Sequence, residues 1–195
     1  MANKVKYGLK NVYYAVATID AATNTATYTT PVAWPGAVSL SLDAEGSTTK
    51  FRADNIDYWV GQSNNGYSGD FESALVPDSF RTAILGDVVP TGHEGIMIED
   101  AGAKTKYFAL LFQFEGDESN TRHVLYKCSA TRPSVSGQTT EEEIEPQTET
   151  LTLTATAIHN ATLNKDIVKA RCAEDDDVYD AWFNGVYQPG TTITT

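Results

Sequence analysis

Cysteine is almost missing from this chain, with two among 195 residues, Cys128 and Cys172. Neither has a neighbouring partner in sequence, so no disulfide framework is expected, and both read as free thiols of a reducing compartment. Histidine is equally sparse. His93, His123 and His159 are scattered without any close ligand spacing, which removes the familiar zinc patterns. Long apolar runs are lacking too. No stretch approaches the roughly 18 consecutive apolar residues of a membrane span, and the opening Met1 to Lys6 leads into no secretory apolar region. Positive charge is short: 14 Lys and Arg stand against 26 Asp and Glu, a net charge of −12 and a pI near 4.5. A chain this acidic is not built to grip a phosphate backbone, which requires clustered cations that displace counterions. The surplus suits solubility, or a surface that must lie near DNA without sticking to it. No P-loop, dinucleotide fingerprint or nucleophile elbow occurs. The acidic run Glu141-Glu142-Glu143-Ile144-Glu145 has neither the alternating ligands nor the glycine of a calcium loop. Carboxylates are plentiful, yet nothing singles out a glycosidase pair. No catalytic residue, metal or cofactor is expected.

What the chain does have is strand pattern. Residues 107–114 (Tyr107-Phe108-Ala109-Leu110-Leu111-Phe112-Gln113-Phe114) are apolar on both alternating faces, as in a strand covered on both sides. Surfaces of this kind are made to be packed against. After a polar loop, residues 123–131 alternate, and residues 150–156 place threonines on one face and Leu151, Leu153 and Ala155 on the other. Further strands are expected at 12–18, 37–42 (Val38, Leu40 and Leu42 inward), 56–60, 67–75 (Tyr67, Phe71 and Leu75 together) and 94–99. Residues 21–30 read as a loop or a weak strand. Many short strands with turn signals between them argue for a mainly β sandwich or barrel in a single domain spanning 1–195. Two connections, 43–55 and 132–149, exceed ordinary hairpin length and are expected to be functional loops.

Two segments read as helix. Asp78 or Ser79 can cap a short one that presents Phe80, Ala83 and Ile84 and stops at Gly86. The other, 178–187, follows Asp175-Asp176-Asp177 and places Tyr179, Phe183 and Val186 at helical spacing before Pro189-Gly190.

Several segments in order support a family resemblance. They are Met1-Ala2-Asn3-Lys4-Val5-Lys6-Tyr7-Gly8-Leu9-Lys10-Asn11-Val12, Pro35-Gly36-Ala37-Val38-Ser39-Leu40-Ser41-Leu42, Ala53-Asp54-Asn55-Ile56, and Asn65-Gly66-Tyr67-Ser68-Gly69-Asp70. With them go Pro77-Asp78-Ser79-Phe80-Arg81, Arg122-His123-Val124-Leu125-Tyr126, Thr131-Arg132-Pro133-Ser134-Val135-Ser136-Gly137 and Ile144-Glu145-Pro146-Gln147-Thr148-Glu149-Thr150-Leu151. The chain thereby resembles the major tail proteins, or tail tube proteins, of long-tailed, non-contractile bacteriophages. The likeness covers most of 1–155 and is weaker at 18–34 and 157–195. At this length the extra immunoglobulin-like domain that some such proteins carry is not expected.

The resemblance implies a tail-tube β-sandwich or barrel with one flanking α-helix and a short C-terminal helix. It implies six-copy rings stacked into a tube, found in the virion and made in the host cytoplasm. Double-stranded DNA would pass through without specific binding, and a tape measure protein, a tail terminator and distal tail proteins would be partners. No membrane is involved. On this reading one face of residues 107–114 would meet the core and the other a neighbouring subunit, and inter-subunit contacts are expected at Asp43, Glu45, Phe51, Arg52, Arg132, Ser134, Gln138, Glu142 and Ile144. Asp70 and Glu72 alternate with core residues, so they point away from the core and are candidates to line the lumen. Two rivals stand beside this reading. One is the tube protein of a contractile tail or injection machine. The other is a carbohydrate-binding module built on Trp34, Trp59, Trp182 and the tyrosines.

Overall fold

The alternating segments form antiparallel strands that wrap around one another rather than stack as two separate sheets. The structure, a computed structural model, describes residues 7–116, 119–135, 137, 139 and 146–193. In chain order the strands are β1 (Leu9–Ile19), β2 (Ala26–Tyr28), β3 (Val32–Ala33), β4 (Ala37–Glu45), β5 (Thr48–Ala53), β6 (Ile56–Gln62) and β7 (Gly66–Ser73). There follow β8 (Tyr107–Phe114), β9 (Arg122–Ala130), β10 (Glu149–Thr156), β11 (Ile158–Asn160), β12 (Lys165–Ile167) and β13 (Lys169–Cys172). Nine of them make one sheet in the order β2-β1-β8-β9-β10-β7-β4, with β3 added beside β1 and β13 beside β9. The sheet curls, so that β1 and β4 line opposite sides of one crevice. The pairs β5–β6 and β11–β12 stand outside it.

The doubly apolar pattern of β8 has its cause in this arrangement. Phe108, Leu110 and Phe112 face one core, with Val12, Tyr14, Phe71, Phe80, Leu151 and Leu153. Ala109 and Leu111 face a second, with Ala15, Val124, Tyr126, Tyr179 and Trp182. The second face is therefore covered by the chain's own C-terminal segment, not by a neighbour as expected. Each large apolar side chain buried this way contributes about 1.5–3 kcal/mol, and a two-sided strand anchors both cores at once.

The first core is closed by α1 (Asp78–Phe80), which runs into a π-helical stretch, Arg81–Leu85. Phe80, Ile84 and Leu85 are fully buried there. Gly86 ends the segment in the left-handed conformation, as its place in the sequence suggested. The start differs. Pro77 precedes the first turn without a side-chain cap, and Ser79 instead accepts a 2.8 Å hydrogen bond from the buried Tyr14 hydroxyl.

Four other expectations are corrected. The second helix is absent: residues 173–184 wind through successive turns closed from Asp176 to Ala173, Tyr179 to Asp176, Trp182 to Tyr179 and Asn184 to Ala181. Asp175 to Asp177, Asp180, Asn184 and Gly185 all favour turns over helix interiors, and the Asp176 carboxylate accepts the Val178 amide as a turn cap. Tyr179 and Trp182 still reach the sheet, and Arg122 lies 3.7 Å over the Tyr179 ring. The strand at 94–99 reduces to a single bridge between Val88 and Ile98. Val38 points outward because a register shift between Ala37 and Ser39 breaks the alternation, and Leu75, past the end of β7, is exposed.

Candidate functional site

The connection at 43–55 is not a loop. β4 and β7 pair from Ala37↔Ser73 to Glu45↔Gly66, and their continuations β5 and β6 pair on to Ala53↔Ile56. Backbone bonds from Asn65 to Glu45 (2.8 Å) and Ser63 to Ser47 (2.9 Å) join the two parts into one ribbon. From residue 46 to residue 53 this ribbon runs clear of the sheet, roughly 27 Å at the usual rise per residue. Its tip is Asp54-Asn55, both at positive φ (51° and 64°), the two-residue turn whose twist suits a hairpin. Gly66, where the ribbon leaves the sheet, has φ 107°, and a Cβ there would collide with the Ala155 carbonyl.

The projecting arm is amphipathic. Phe51 faces Trp59, Ala53 faces Ile56, and the Trp59 indole lies over Gly61 on the same side. On the other side Asp57 takes Lys50 at 2.8 Å and Arg52 at 3.1 Å. Tyr58 is the extra residue at the register shift. Phe51, Ile56, Tyr58 and Trp59 are each more than half exposed. A two-stranded hairpin alone is marginal in water, and a contiguous exposed apolar face of this kind marks an interaction surface. The strand from which the arm grows is also open: among the described residues β4 pairs only with β7, leaving its other edge free over nine residues.

Beside the arm's root lies a polar sheet face. Cross-strand neighbours Ser39, Glu72 and Thr150 form one row, Ser41, Asp70 and Thr152 a second, and Asp43, Ser68 and Thr154 a third. Hydroxyls hold the carboxylates down. Thr148 and Ser39 donate to Glu72 at 2.6 and 3.0 Å, Thr152 to Asp70 at 2.9 Å, and Ser68 to Glu45 at 2.6 Å. The Thr148 bond, then that of Ser39, keeps the Glu72 carboxyl below the usual carboxylate range.

The structure thus brings Asp43, Glu45, Asp70 and Glu72 together on one face, with Phe51 and Arg52 on the arm that extends from it. Arg132 and Ser134 lie elsewhere. Arg132 is engaged within its own chain: Nη1 reaches Asp87 at 2.6 Å, Nε reaches Glu99 at 3.2 Å, and Nη2 donates to the Leu85 and Asp100 carbonyls. Ser134 is exposed beside the fully exposed Val135. Gln138, Glu142 and Ile144, and most of the loop around them, fall outside the described residues. Sequence reasoning missed Ile56 and Tyr58 as surface residues and offered Trp59 only as part of a sugar platform. The signal was the Asp54-Asn55 pair flanked by Phe51 and Trp59, a hairpin pattern.

The scattered histidines do not converge. His123 stacks on Phe112, His159 sits 3.0 Å from Asp166 on the β11–β12 pair, and His93 lies in an exposed turn. Among the described residues no three His, Cys, Asp or Glu side chains are grouped to hold a metal ion. Both thiols are buried, and burial pushes Cys128 up to about 12 and Cys172 to about 11. Trp34 and Trp182 are buried in the two cores, so two of the three tryptophans offer no platform to a sugar. A scan against protein-family models finds no match, and a search of curated proteins finds none either.

Proposed function

We propose that this chain is a structural subunit of a phage tail tube of the long-tailed, non-contractile type, assembling into stacked, six-membered rings through which DNA is ejected. The observation that carries the reading is the ribbon: an edge strand that, among the described residues, is open along nine positions and continues into an arm whose apolar face none of them covers. A monomer so built leaves both main-chain hydrogen bonds and apolar area unsatisfied, and a second copy of the same sheet supplies both. The ordered sequence resemblance gives the class of assembly. It also supplies the partners proposed here, a tape measure protein within the tube and terminator and distal tail proteins at its ends, and the virion as its location.

The polar face fits the bore. Its hydroxyls are neutral and its carboxylates fixed, so it would repel phosphates over a Debye length of about 8 Å, and Lys127 at its far end is already engaged by Asn24. The tube of a contractile tail would use the same surfaces, and a separate sheath protein beside this one is what distinguishes it. Electron microscopy of the purified protein tests the reading. Rings or tubes with a central hole are expected, and a protein that stays monomeric at high concentration, with no tubes in particles, overturns it.

A further inference from the structure

The arm has a counterpart on the same chain. Where the curled sheet opens, Leu40, Leu42, Tyr67, Phe112, Phe114 and Lys169 line an apolar groove of about 200 Å³. A dry cavity of about 150 Å³ already accepts a benzene ring, so this one has room for an aromatic side chain. Leu40, Leu42, Tyr67 and Phe114 are only half-buried at its mouth. The Lys169 ammonium stands at the rim, 4.4 Å over the Tyr67 ring. It has no ionic partner among the described residues, and neither has Asp54 at the exposed tip of the arm, next to Ile56 on the apolar face. Knob and hole therefore carry matching apolar chemistry and complementary single charges.

The two cannot meet within one molecule. The groove is lined by the root of the same ribbon, Leu42 and Tyr67, and from there the two strands stay paired to the tip, through the Glu45–Asn65 and Ser47–Ser63 bonds and past the extra residue Tyr58. At the ordinary strand rise the tip stands roughly 38–41 Å along the ribbon from Leu42. Folding back would break the ribbon. Resting on the reading of the chain as a self-assembling subunit, we propose that the arm's apolar face docks in this groove of a second copy, with Trp59 filling it and Asp54 meeting Lys169. Such a contact joins two different patches, so it repeats from copy to copy and closes into rings or extends along a tube.

Charge exchange tests this. D54K alone and K169D alone are each expected to raise the concentration needed for assembly about tenfold, the scale of a close interfacial charge pair. The D54K/K169D double variant should return to within about threefold of wild type on the same scale. W59A should block assembly while circular dichroism and melting of the monomer stay unchanged, since the arm is exposed. In a mixture of D54C and K169C, oxidant should give a mixed disulfide dimer under assembling conditions, with neither variant cross-linking alone. Wild-type protein that never assembles removes the underlying reading. Wild-type assembly with unaffected single variants, an unrescued double variant, or cross-links from the tip to residues 86–106 overturns the docking site and leaves the tube reading in place.

Discussion

Glu72 illustrates how a single side chain is set by its neighbours' hydroxyls. It lies on the polar face in a row with Ser39 and Thr150, and its two oxygens accept from Thr148 and Ser39. Hydrogen bonds to the charged form lower a carboxyl's pKa, and here the Thr148 bond is the larger cause. The sign follows directly. A carboxyl lowered on folding adds stability above its unfolded value, and that contribution is lost as pH falls through the folded value. Thr148→Val is expected to move the Glu72 titration midpoint upward, with Ser39→Ala moving it less. Carboxyl chemical shifts followed against pH by NMR would check this, and an unmoved midpoint in Thr148→Val would show that the hydroxyl does not set the charge.

At the scale of elements, the legible parts of the sequence were those whose period is decided locally. β10 alternates threonine and aliphatic residues, and the structure exposes Thr150, Thr152 and Thr154 while burying Leu151, Leu153 and Ala155. Gly86 ends its helical segment for the reason its type suggests. The C-terminal aromatic stripe was misread because helical spacing and a chain of turns both bring Tyr179 and Trp182 to the sheet, and the aspartates and glycine decide between them. Of the arm, the return strand at 56–60 was legible, but its first strand, Thr48–Ala53, was misread as loop because an exposed ribbon lacks the buried face that announces a strand. The tongue at 86–106 gives a similar lesson, since Val88–Ile98 is its one β-bridge, while Arg132 ties Leu85 and Asp87 at its start to Glu99 and Asp100 further along. The Asp87 carboxylate, the first cause, raises the guanidinium's pKa further above its usual value. Removing Arg132 leaves the nearly buried Asp87 carboxylate without that partner. Arg132→Ala is therefore expected to cost on the order of 2 kcal/mol in urea unfolding, as hydrogen bonds to charged groups do. Limited proteolysis should then cut within 86–106. Arg132→Lys should recover only part, because one ammonium cannot span four acceptors held by a planar fork. An Ala variant as stable and as protease-resistant as wild type would show the clamp to be idle.

For the whole molecule, the proposed tube gives the net charge of −12 a direction as well as a size. Asp43, Glu45, Asp70 and Glu72 share one sheet face among hydroxyls, whereas Lys50 and Arg52 are drawn off along the arm and balanced there by Asp57. If that face lines the bore, moving DNA meets fixed negative charge, and the lysine at its far end, Lys127 across from Thr156, is held by Asn24. Replacing Asp70 and Glu72 with lysine should leave the subunit folded, because Asp70 is exposed and Glu72 lies on the same outward face. Tubes should still form, since neither residue belongs to the arm or the groove. DNA ejection from assembled particles should slow or stop, because each lysine adds an attraction to phosphate. Added salt should restore it, because the screening length shrinks from about 10 Å at 0.1 M to 3 Å at 1 M ionic strength. Ejection can be timed by dye uptake on released DNA across a salt series. Particles that eject at the wild-type rate in low salt would show that these acids do not face the DNA, which would place the polar face on the outside of the tube or against a neighbour.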